Sequence, residues 1–123
     1  MKRLLTTMIA AAALSGGLAW AHGDEKARHG GLVQMAGETK FELVAKGDTA
    51  EVYLDDHGET IPTAKLSGKL TVMSGANKSE AKLEPAAGDK LVAKGVKLAK
   101  GDKVIALVTL ADKTTASARF VVK

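Results

Sequence analysis

The chain has 123 residues, no cysteine, two prolines and a formal charge of +4, from 18 Lys and Arg against 14 Asp and Glu. That length holds one domain and excludes a multidomain enzyme. The lack of cysteine excludes disulfides, thiolate metal sites, a thiol nucleophile and a lipidated-cysteine anchor, and the modest, scattered positive balance argues against a nucleic-acid binder, which gathers cations on one face.

The amino terminus reads as a secretory leader. Met1-Lys2-Arg3 is a short basic start, residues 4–14 are an apolar run, Ser15-Gly16-Gly17 breaks it, and Ala19-Trp20-Ala21 has small residues at its first and third places. This pattern predicts cleavage between Ala21 and His22. The apolar run falls short of the ~20 residues that span a bilayer, and nothing after residue 21 is longer or more apolar. The expected product is residues 22–123, exported most simply to a bacterial periplasm, with no stable membrane insertion. Loss of the leader leaves 16 Lys and Arg against 14 Asp and Glu, a net of +2.

Residues 22–31 (HGDEKARHGG) are polar and aperiodic, an extended or flexible arm ahead of a domain at 32–123. From Leu32 onward, short apolar runs are separated by turn chemistry. Phe41, Leu43 and Ala45 alternate with Lys40 and Glu42, and Ala50, Val52 and Leu54 alternate with Glu51 and Tyr53, so a hairpin is predicted around Lys46-Gly47-Asp48-Thr49. Asp55-Asp56-His57-Gly58-Glu59 is a second tight turn, and Pro62 suits an edge or irregular segment. Leu70 and Val72, then Ala81 and Leu83, give two further alternating strands. Loops are expected at 85–89 and 94–95. Residues 103–110 are apolar on both faces, as in a strand central in its sheet or buried between layers, and Ala116, Ala118, Phe120 and Val122 form the last alternating run. The tetrapeptide Ala45-Lys46-Gly47-Asp48 recurs as Ala99-Lys100-Gly101-Asp102, which we read as reuse of a good turn. Seven or eight short strands at this spacing predict an all-β, antiparallel, immunoglobulin-like β-sandwich.

Three histidines, His22, His29 and His57, are the chemically distinctive residues. Cleavage before His22 would place its α-amine beside its own imidazole as a bidentate chelate. A further imidazole from His29 or His57, with a carboxylate from Asp55 or Asp56, completes a nitrogen- and oxygen-rich set that suits Cu(II) first and Zn(II) second. The arm would have to dock at the Asp55–Gly58 turn for His57 to join. The alternative is that the histidines are incidental, in a protein-interaction module whose edge strands, at Pro62 or the carboxyl-terminal strand, form the contact surface. Met35 and Met73 are expected to fill the core, and Asp24 and Glu25 to solvate the arm. No serine has nucleophile-elbow spacing and no glycine-rich phosphate loop is present, so the expectation is a non-enzyme.

The segments His29-Gly30-Gly31, Phe41-Glu42-Leu43-Val44 and Val52-Tyr53-Leu54-Asp55-Asp56-His57-Gly58 together resemble the small periplasmic domains of heavy-metal efflux systems. The likeness is to the amino-terminal, histidine-bearing region of the periplasmic adaptor subunits. It implies a sandwich that handles Cu, Zn, Co or a related cation in heavy-metal resistance, with an efflux pump or a cuproprotein as partner. The chain is more distantly similar to CopC-type periplasmic copper-binding proteins, a likeness that carries over to His22 and, mid-chain rather than near the end, to Asp55-Asp56-His57.

Overall fold

The computed structural model describes residues 26–123. The leader, the Ala21–His22 bond, His22, Asp24 and Glu25 lie outside the described residues. All regular structure among the described residues is strand: β1 (Leu32–Ala36), β2 (Thr39–Lys46), β3 (Thr49–Asp56), β4 (Glu59–Thr60), β5 (Ser67–Ser74), β6 (Asn77–Ala86), β7 (Lys90–Lys94), β8 (Lys103–Thr109) and β9 (Thr115–Val121).

The strands pair antiparallel throughout, in the order β1-β2-β3-β7-β6-β5-β8-β9, with the short β4 beside β3. Alternation then puts Phe41, Leu43, Val52, Leu54, Leu70, Leu83, Leu91, Val104 and Phe120 into one shared core, which the sheet curls around until β1 approaches β9. The all-β antiparallel architecture predicted from the spacing of apolar runs is the one observed.

Strand β6 joins the two halves. It pairs with β5 as far as Leu83 and with β7 from Glu84 to Ala86. Pro85, which has no N–H to give to a ladder, sits exposed at this change of partner. The loop expected at 85–89 is therefore shorter than the composition suggested. Residues 85 and 86 are strand, and Gly88 and Asp89, at φ of 92° and 54°, make the reversal into β7.

Three burial expectations are corrected by the structure. On β8, Val104, Ala106 and Val108 are buried, but Ile105 is only half-buried and Leu107 is 37% exposed, because a sheet curled around a single core has one inside and no second layer outside. On β2, Ala45 is exposed while Lys40 and Glu42, read as solvent-facing, are buried. Met35 is 38% exposed and Met73 half-buried, so neither belongs to the core.

Lys40 and Glu42 are buried because residues 26–31 cross the outer face of the β2–β3 hairpin before entering β1. Lys40 Nζ donates to the Lys26 carbonyl at 2.9 Å, and Arg28 Nη2 donates to the Gly58 carbonyl at 3.0 Å. Gly31 is required by close approach: a Cβ there would collide with the Leu43 carbonyl oxygen and the Val44 side chain.

Candidate metal centre

At one end of the hairpin, two tight turns meet. The β1–β2 connection is Gly37-Glu38 and the β3–β4 connection is His57-Gly58. Both residues of the second turn have positive φ, 53° at His57 and 86° at Gly58, the geometry that a two-residue hairpin favours and that Asn-Gly or Gly-Gly satisfies with less strain. The β2–β3 register pairs Thr39 with Asp56, so the next position outward sets Glu38 opposite His57.

His57 Nε2 lies 2.9 Å from Glu38 Oε1 and 3.4 Å from Asp56 Oδ1. One ligand atom from each of Glu38, Asp56 and His57 falls within 4.8 Å of the others. All three side chains are open to solvent. Glu38 and His57 line a cavity of about 200 Å³, together with Met35, Lys40 and Asp55. Two carboxylates directed at one imidazole nitrogen form a site where a proton and a divalent cation compete for the same lone pair.

Of the residues singled out in the sequence, Asp56 and His57 come together here. Asp55 does not join them: it is buried, 3.5 Å from Arg28 Nε and 3.4 Å from Lys40 Nζ, and acts as the counter-ion of those two cations. Glu38 was not anticipated. Its signal was available, because the two-residue turn between Lys46 and Thr49 fixes the hairpin register, and counting back from it places Glu38 across from His57.

His29 is held in a second arrangement nearby. The Glu42 carboxylate, almost fully buried, accepts from the backbone N–H of Arg28 at 3.0 Å, of His29 at 2.8 Å and of Gly31 at 2.8 Å, and it lies 3.0 Å from His29 Nδ1. Burial alone would raise the Glu42 carboxyl, but the bonds from Gly31, His29 and Arg28 outweigh it and hold the group below its ordinary range. The imidazole stacks on Tyr53 with centroids 3.6 Å apart and planes 9° from parallel. With Nδ1 donating to a fixed carboxylate, the neutral ring carries its lone pair on Nε2, the tautomer seen when a metal-ligating histidine is oriented by an outer carboxylate. The arm does lie over the Asp55–Gly58 turn, where Arg28 bonds the Gly58 carbonyl, but His29 is held by Glu42 and Tyr53 and is not among the residues whose ligand atoms converge with His57.

A chain of polar contacts continues beneath the ring. Tyr53 Oη donates to Glu51 Oε1 at 3.1 Å, and Lys90 Nζ donates to Glu51 Oε2 at 2.7 Å. Burial, together with donation to Glu51, pushes the Tyr53 phenol up. Burial would also raise Glu51, yet the bond from Lys90 holds that carboxyl down. These groups are saturated by one another and serve to fix the Tyr53 ring on which His29 rests.

Comparison of the chain with protein-family models, with curated proteins and with solved structures gave no match.

Proposed function

We propose that this protein binds a divalent transition metal, copper(II) first and zinc second, and serves in buffering the ion or delivering it to an efflux system or a metalloprotein in the periplasm. The observation that carries this reading is the convergence of His57 with Glu38 and Asp56 across two turns. One nitrogen and two oxygen donors suit Cu(II) and Zn(II), and Cu(II) binds tightest among divalent ions in such sets.

Two further features support it. His57 occupies a left-handed turn position, and this turn sets its imidazole beside the carboxylates of Glu38 and Asp56. The exposed, solvent-facing placement suits an ion that must be loaded and handed on, whereas a structural ion would be enclosed. His29, with Nε2 presented, and His22, which lies outside the described residues, are the additional donors that would complete the coordination.

The test is a Cu(II) and Zn(II) titration of the chain beginning at His22, with free glycine as competitor, followed by electron paramagnetic resonance of the copper form. One tight equivalent is expected, weakened at least tenfold by His57→Ala and measurably by Glu38→Gln. An added leading glycine weakens binding further if the His22 amine takes part. Affinity unchanged in His57→Ala and Glu38→Gln would overturn the assignment.

A further inference from the structure

We infer that the open seam between β1 and β9 is a docking groove for an extended acidic peptide of a partner protein. The two strands end the sheet order, and each pairs on one side only. Successive antiparallel pairings make them antiparallel to each other. They approach without a ladder, so each presents one unpaired edge.

Beside this seam, over β9 and the adjoining β8, opens a cavity of about 700 Å³. Its apolar surface comes from Leu32, Val33, Met73, Ile105 and Val121, and its charges are Lys103, Arg119 and Lys123, with no Asp or Glu in the lining. None of the three cations makes an ion pair or hydrogen bond within the described residues. Gln34 shows that the seam is open: it pairs with Phe41 and so lies on the core-side row of β1, yet it is exposed.

Free strand edges recognise an extended backbone, and alternate side chains of the added strand read the flanking surface. Here the core-side face of such a strand meets Leu32, and its outward face meets Val33, Arg119 and Lys103. The ligand is therefore apolar at every second position and acidic between. A second copy of this chain is a poor occupant, because each copy brings the same uncompensated cations to the contact.

The test uses a fluorescent, end-blocked octapeptide of alternating Val and Glu, with two comparison peptides: alternating Val and Lys, and the acidic one with alternate valines replaced by proline. Fluorescence anisotropy against the full chain should show saturable binding of the Val-Glu peptide alone. Amide shifts should concentrate in β1 and β9, and affinity should fall as salt shortens the screening length from ~10 Å at 0.1 M to ~3 Å at 1 M.

The charge reversals Lys103→Glu and Arg119→Glu should each weaken binding about tenfold, equivalent to roughly 1.4 kcal/mol. Lys97→Glu, an equal change of net charge on the link before β8, should leave it unchanged. Equal binding of the proline peptide would reduce the interaction to charge alone and overturn the strand-addition reading. So would equal binding of the lysine peptide, no saturable binding, or self-association that perturbs β9 without peptide. The salt series and the Lys97→Glu comparison keep the test decisive if a groove variant fails to fold.

Discussion

Glu42 illustrates how one side chain can decide where a segment lies. Read by alternation, it belongs to the solvent face of β2, and nothing in its own strand says otherwise. Its burial arises eleven or more residues upstream, where Arg28, His29 and Gly31 turn their N–H groups toward it. Local pattern exposes a face, and only the path of the arm covers it. Two substitutions separate the parts of this contact. Gly31→Ala puts a methyl group into the Leu43 carbonyl and should lift the arm, lowering stability by about 1–3 kcal/mol. Glu42→Gln keeps the shape and removes the charge, so a similar loss of roughly 1.5–3 kcal/mol is expected from weakened charge-assisted bonds. Hydrogen exchange at residues 28–31 should accelerate in both, with exchange in β5 and β8 unchanged. Protection of the arm equal to that of the parent chain would show that Glu42 does not hold it.

At the level of the element, sequence reading recovered strands where apolar residues alternate and failed where the cause is non-local. The β2–β3 hairpin, β5, β8 and β9 were legible from period and turn residues. The strand at Lys90–Lys94 was not singled out, and Pro85 argued for a loop, because its tolerance in β6 comes from lying where that strand changes partners. His57 and Asp56 were legible as candidate ligands, whereas Glu38 required the register to be counted through the turn. The repeated tetrapeptide makes the same point. Gly47-Asp48 closes a hairpin with Asp48 exposed, whereas Asp102 is buried and its Oδ2 accepts from the Ala99 N–H at 2.9 Å. Identical tetrapeptides thus take different structural roles according to the strands that flank them. Asp102→Ala should therefore destabilise by about 1–3 kcal/mol by leaving that donor without its partner, and Asp48→Ala should fall within roughly 0.5 kcal/mol of the parent. Urea denaturation of both variants checks this, and equal midpoints would contradict the distinction.

For the whole molecule, the sheet closes around its apolar core while its outer face near β3 carries a continuous set of compensated charges. Glu42 bonds the arm, and Glu51 ties β3 to Lys90 of β7. Both carboxyls are held below their ordinary range in the folded chain, by bonds from Gly31, His29 and Arg28 in one case and from Lys90 in the other, against the opposing effect of burial. A carboxyl with a lowered folded pKa binds fewer protons folded than unfolded, so its stabilising contribution is complete above the unfolded value of about 4.3. That contribution is lost as pH falls through the folded value. Stability should therefore be flat with respect to these two groups from neutrality down to roughly pH 5 and should decline below ~4.3. The acid limb should be shallower in Glu42→Gln and shallower still when Glu51→Gln is added, because each substitution removes a group that takes up a proton on unfolding. Urea midpoints measured across this range give the slopes directly. An acid limb as steep in the double variant as in the parent would place the pH dependence on other carboxylates. The covering of the β2–β3 face by the arm would then owe its stability to packing, with His29 on Tyr53 as its main contact.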